Sequence, residues 1–139
     1  MIMRQTLFLI IAVVIFSCSG NGSEEKRDVV SEDNGRPVIT FEKIEHDFGT
    51  ITEGENVGTI FRFTNTGDAP LIISSAATSC GCTVPKFSNK PVAPGESGTL
   101  EVVFDSSHRE GKQTKTISVR SNAEPQVLVL RITADIVIK

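Results

Sequence analysis

From Pro37 to the C-terminus, apolar and polar residues trade places with a period of two. The run Val57 to Asn65 is explicit: Val57, Thr59, Phe61 and Phe63 fall on one face, Arg62 and Thr64 on the other. Side chains alternate sides along an extended chain, so this pattern predicts a strand with one face in a core. Val38 to Ile44 predicts an earlier strand, with Val38 and Thr40 alternating against Ile39 and Phe41, and Phe48 to Ile51 a short crossing segment. Leu71 to Ala76 is an apolar, β-branched run, and Leu100, Val102 and Phe104 alternate with Thr99, Glu101 and Val103. Thr114 to Arg120 directs Ile117 and Val119 inward. In the last strand Leu128, Leu130, Ile132, Ala134, Ile136 and Ile138 share a face opposite Val127, Arg131, Thr133, Asp135 and Lys139.

Turn residues separate these runs. Asn65-Thr66-Gly67-Asp68 reads as a turn, Asp105 to Gly111 as a polar loop, and Pro94-Gly95 suits the centre of a type II turn, where proline fixes φ and glycine accepts a positive one. About seven short strands in roughly 100 residues predict an all-β, immunoglobulin-like antiparallel β-sandwich, with a small barrel as the structural competitor. An antibody-type domain is excluded, because its inter-sheet bridge needs cysteines far apart in sequence and its tryptophan and tyrosine landmarks are missing. The core must rest on Val, Ile, Leu and Phe, and 139 residues suffice for a single domain of that kind.

The first residues follow another pattern. Arg4 precedes an unbroken apolar run from Leu7 to Phe16, which ends at Ser17-Cys18. That is the layout of a signal peptide, and the run is shorter than the about 20 residues that a membrane span needs. Ile15-Phe16-Ser17-Cys18 resembles the bacterial lipoprotein box, in which usually Leu, a small or aliphatic residue and Gly, Ala or Ser precede a cysteine; Ile15 stands in the place of Leu, and Phe16 is bulkier than the pattern's usual residue. The resemblance implies that Cys18 is acylated and becomes the first residue after cleavage. Several acyl chains then hold the protein on a membrane, each buried methylene contributing about 0.8 kcal/mol. Ser19 to Gly35 is rich in Ser, Gly, Asn and acids and reads as a flexible tether, with Glu24 and Glu25 as solvated linker residues. The expected organisation is thus a signal peptide over 1–17, a lipidated cysteine and tether over 18–36, and a sandwich domain over 37–139.

Charge narrows the partners. The formal net charge is -3, with 14 Lys and Arg against 17 Asp and Glu; losing Arg4 with the leader leaves 13 minus 17, or -4. No basic run is present, so no nucleic-acid partner is expected. No serine stands in a nucleophile-elbow context, no glycine-rich phosphate loop occurs and no carboxylate pair stands out at a strand end. The expectation is a non-enzymatic protein without a cofactor.

His46-Asp47-Phe48-Gly49-Thr50-Ile51, Phe61-Arg62-Phe63-Thr64-Asn65-Thr66-Gly67, Ser79-Cys80-Gly81-Cys82-Thr83-Val84-Pro85, Val92-Ala93-Pro94-Gly95-Glu96-Ser97-Gly98 and Val119-Arg120-Ser121-Asn122 occur in that order. Together they resemble domain-of-unknown-function family 1573, common in Bacteroidetes lipoproteins, over essentially all of residues 38 to 138. The resemblance implies an immunoglobulin-like fold related to cilium- and sperm-type sandwich domains, and carries no activity with it.

Cys80-Gly81-Cys82 holds the two thiols available to the domain. In the oxidising envelope two nearby thiols point to a disulfide, and a three-residue ring contributes roughly 1.6 kcal/mol on the loop-entropy relation. Alternate Cα atoms of a straight strand lie about 6.6 Å apart, near the limit for a bridge, so bridging needs a kink, which Gly81 can supply through a positive φ. Thiol redox chemistry and soft-metal binding, copper above all, are the alternatives to a packing or local disulfide role. A closed zinc site needs further ligands, and the remaining imidazoles are His46, expected to cap a turn with Asp47, and His108, expected to be solvated beside Arg109 and Glu110.

Two functions follow. One is a lipid-anchored cell-envelope module, held at Cys18 and binding an envelope protein or glycan; the other is redox or copper handling at Cys80 and Cys82. Ser19, in place of an aspartate after the lipidated cysteine, favours the outer membrane by analogy with enteric sorting rules.

Overall fold

The computed structural model describes residues 35–139, so the signal peptide, Cys18 and nearly all of the tether lie outside the described residues. Eight strands follow one another: β1 (Ile39–Phe41), β2 (Glu45–Thr52), β3 (Asn56–Asn65), β4 (Ile73–Thr78), β5 (Thr83–Phe87), β6 (Ser97–Asp105), β7 (Gly111–Ser121) and β8 (Val127–Val137). They form two four-stranded sheets, the first in the order β1-β3-β6-β5 and the second in the order β2-β8-β7-β4. Neither sheet closes on itself, which sets the barrel alternative aside.

The alternation read from the sequence becomes the core. Phe61, Phe63, Leu100, Val102 and Phe104 of the first sheet meet Ile117, Val119, Leu130, Ile132 and Ile136 of the second, all buried. Ile138, expected on the inner face, lies past the end of β8 and is exposed.

Four further expectations about strands and turns change. Val38 to Ile44 is not one strand: β1 pairs antiparallel with β3, and β2 joins the other sheet. The Glu42 N–H still bonds to the Arg62 carbonyl at 3.0 Å, whereas the Ile44 carbonyl already receives the Arg131 N–H at 2.9 Å, so the chain changes sheets within two residues. Second, Phe48 to Ile51 belongs to the longer β2, which runs parallel to β8 with a register shift between Asp47 and Thr50. The sandwich is therefore mixed at one pair. Third, Thr83–Phe87 is an additional strand, which pairs with β6 on one side only. Pro85 has no N–H to offer a ladder, and an edge position tolerates it.

The fourth change concerns His46, which lies within β2 and caps nothing. Asp47 alone makes the cap, its Oδ1 accepting the Gly49 N–H at 2.9 Å. Elsewhere the turn chemistry holds: the Glu96 N–H reaches the Ala93 carbonyl at 3.0 Å across Pro94-Gly95, and Gly95 has φ 81°.

Two buried polar side chains close the ends of the sandwich. Asn65 is 0% exposed; its Nδ2 donates to the carbonyls of Ala69 at 2.8 Å and Val92 at 2.9 Å, and its Oδ1 accepts the Gly67 N–H at 3.0 Å. At the other end the Ser106 hydroxyl lies 2.8 Å from the Glu55 carbonyl and 3.0 Å from that of Thr52. Each buried side chain is satisfied by backbone groups of separate connections, which it holds together.

Candidate functional site: the Cys80–Cys82 corner

β4 is an edge of the second sheet and β5 an edge of the first, so residues 79–82 carry the chain across one flank of the sandwich. Two ladders hold the ends of that crossing. The Ser79 N–H bonds to the Thr116 carbonyl at 3.1 Å and its Oγ accepts the Thr116 N–H at 3.3 Å, while the Cys82 carbonyl accepts the Asp105 N–H at 2.9 Å. Between them the Thr78 hydroxyl lies 2.7 Å from the Cys80 carbonyl and 3.2 Å from the Thr83 carbonyl, gathering the turn into a closed loop.

Within this loop Cys80 and Cys82 are joined as a disulfide, with Cα atoms 5.3 Å apart. The chain has drawn in from the extended spacing, as bridging requires, but Gly81 is not among the positive-φ glycines. The kink comes from the change of sheet, and a Cβ on Gly81 would meet nothing within 4 Å. Both cysteines are half-buried, and Cys82 packs against the hydrophobic core. The buried Thr83 sits under the pair: its Oγ1 is 3.7 Å from Cys80 Sγ and 3.8 Å from Cys82 Sγ. Nothing in the sequence singled out Thr83 for this place, since its inward position follows from a strand, Thr83–Phe87, that was not among the expected ones.

The two histidines lie elsewhere. β2 and β4 occupy opposite edges of one sheet, which puts His46 three strand spacings, about 14 Å, from the cysteine flank. His46 contacts the Phe48 ring edge-on at 4.6 Å. His108, exposed with φ 60°, gives its backbone N–H to Glu53 at 2.7 Å. Among the described residues no three His, Cys, Asp or Glu side chains converge as a metal site. With the sulfurs bonded to each other, copper binding would first require reduction.

Lys115 and Arg109 stand near the same end of the sandwich. Burial, with the Arg109 charge as the second cause, lowers the Lys115 ammonium from its ordinary range. The Arg109 Nε is buried without a hydrogen-bond partner. At the opposite end, a cleft of about 510 Å³ is lined by Phe63, Lys86, Phe87, Lys90, Val92 and Glu96 among others.

Such a sandwich, two open four-stranded sheets facing each other, defines a chain of the immunoglobulin-like fold class. Residues 39–136 match the family described as "Protein of unknown function (DUF1573)", and the chain belongs to that family. No curated protein matches it. Among solved structures it is similar to a protein of unknown function from Porphyromonas gingivalis W83 (TM-score 0.64, 19% identity), covering 72% of this chain and 47% of that one. It therefore spans about half the length of that relative. The PapD-like domain 7 of human CEP192 is similar over 73% of this chain and 86% of its own (TM-score 0.58, 12% identity). The secreted serine protease VesC of Vibrio cholerae matches over 70% of this chain and 23% of its own (TM-score 0.55, 14% identity). At these identities the likeness is one of fold.

Proposed function

We propose that this protein is a lipid-anchored envelope module that binds another protein through the outer face of its first sheet. The observation that carries the reading is an aliphatic strip there. Val84, 52% exposed, pairs with Val103, which in turn pairs with Gly58; in the next row Ile60, 48% exposed, pairs with Glu101, beside Lys86. A branched aliphatic surface with a charged margin suits the apolar centre and polar rim of a protein interface. A glycan is the less favoured partner, because sugar faces are held best by exposed aromatic rings and this strip has none. The family's unknown function and immunoglobulin-like fold are compatible with a binding role.

Anchoring rests on the sequence around Cys18. The acyl chains hold the module on the outer membrane, and residues 19–36 give it reach. Mass spectrometry of the mature protein should find an acylated Cys18 as its first residue; a soluble product starting elsewhere ends that part of the reading. For the interaction, the full chain is purified from detergent-solubilised envelopes beside an Ile60→Lys/Val84→Lys double variant. The wild type should retain a stoichiometric protein that the variant loses without a change in its own melting. Equal recovery with both overturns the assignment of the face.

A further inference from the structure

We propose that the Cys80–Cys82 disulfide is a reducible group that exchanges electrons with dithiol proteins, and that Thr83 is the positioning residue that stabilises the thiolate it releases. The inference concerns the flank, and stands apart from the outer-face interaction.

Position comes first. A three-residue ring crosslinks almost no chain, so it restrains the unfolded state little, and the crossing it spans is already pinned by Thr78, Ser79 and the Asp105 N–H. The crossing is thus held by hydrogen bonds as well as by the disulfide. The two cysteines are half-buried, not enclosed, where the chain crosses between the edges of the two sheets, so an incoming thiol can approach from that flank. Both cysteines are equally half-buried, but Cys82 packs against the core, which makes its sulfur the one held in place and Cys80 Sγ the one attacked in this proposal.

The exchange balances as follows. A thiolate of the dithiol partner attacks Cys80 Sγ, forming a mixed disulfide as the Cys80–Cys82 bond breaks and Cys82 leaves as thiolate. The partner's second thiol, as thiolate, then attacks its own sulfur in the mixed disulfide, forming the partner's disulfide and releasing Cys80 as thiolate. Two electrons and two protons pass from the partner to this chain, which ends with two thiols. The partner is oxidised.

Thr83 bears on the first step. Its hydroxyl lies under 4 Å from both sulfurs and is buried, so the proton it donates to a departing thiolate is not shared with bulk water. Hydrogen bonding to the charged form lowers a thiol's pKa, and a leaving thiol of lower pKa departs faster. Charged groups on the surrounding elements include Asp105 at the end of β6, Arg109 in the loop after it and Lys115 on β7, whose neighbour Thr116 holds Ser79.

The test uses the full chain in detergent, wild type against Thr83→Val and Thr83→Ser. Each is equilibrated with dithiothreitol redox buffers, then alkylated and read by mass spectrometry on the peptide carrying Cys80 and Cys82. The wild-type bond should open reversibly with the fold intact. In Thr83→Val the pH midpoint of thiol alkylation should rise by about one unit, the size of one charge-assisted hydrogen bond, and dithiol reduction should slow about threefold. Thr83→Ser should restore both. A bond that stays closed in fully reduced dithiothreitol overturns the redox proposal as a whole. A reducible bond with a Thr83→Val titration and rate equal to wild type overturns the role of Thr83 alone. Melting curves of oxidised Thr83→Val, expected near wild type, separate either result from misfolding.

Discussion

Lys43 donates from its ammonium to Nδ1 of His46 across 3.0 Å. An ammonium has no lone pair, so the imidazole must accept through Nδ1 and carry its proton on Nε2. The same ammonium reaches Thr59 Oγ1 at 3.2 Å and lies 5.6 Å from the centre of the Phe61 ring. One lysine thus ties the edge strand β2 to the first sheet, through a histidine that serves it only while neutral.

Acid should loosen this tie. Burial and the Lys43 charge hold the His46 imidazole below its ordinary range, against a weaker opposing pull from Asp47. The unfolded chain then binds the proton more readily than the folded one, so the contribution is complete above about pH 6.5 and is lost as the pH falls below it. His46 is partly solvated, which screens the effect to a fraction of about 1 kcal/mol. Thermal melting at pH 7.5 and 5.5 should show a drop that His46→Gln diminishes. An identical drop in the variant would assign it to other groups.

Asn65 should be among the costliest polar positions. Asn65→Ala strips the partner from two carbonyls and an amide, each buried polar group left unmade costing about 1–3 kcal/mol before water re-enters. Denaturant unfolding should show a loss of about 3 kcal/mol or more.

Gly67 and Gly81 should respond oppositely to alanine. A Cβ on Gly67 would run into the Arg36 carbonyl and the Val38 amide, backbone atoms that cannot step aside, whereas one on Gly81 meets open space. Gly67→Ala should fail to fold or lose several kcal/mol, while Gly81→Ala should melt within about 0.5 kcal/mol of wild type and keep its disulfide. A large loss in Gly81→Ala would mean the corner depends on glycine after all.

Lys115 is carried at a cost. Its lowered ammonium pKa means that the folded state disfavours the charged form, a penalty present at neutral pH and relieved as pH rises toward the lysine's unfolded value. Lys115→Met should therefore stabilise the domain at pH 7, by about 0.5 kcal/mol once solvent screening is allowed for, with the gain shrinking near pH 10. Equilibrium unfolding at the two pH values checks both sign and trend.

Alternation is a local property, and it carried the inner faces of β3, β6, β7 and β8 from sequence to core, because a strand's own pleat decides which side each residue takes. The turn at Pro94-Gly95 was equally local, since proline and glycine fix their own dihedrals. Pairing is not local. Whether Val38 to Ile44 stayed one strand depended on Arg62 and Arg131, each at least 20 residues from its partner in the chain, competing for its backbone. Likewise, Thr83–Phe87 became a strand despite Pro85 only because β6 offered an edge. The cysteines could be named from the sequence, with a local disulfide among their expected states, but the kink that closes the bridge and the hydroxyl beneath it were set by a chain forced to cross between sheets in four residues.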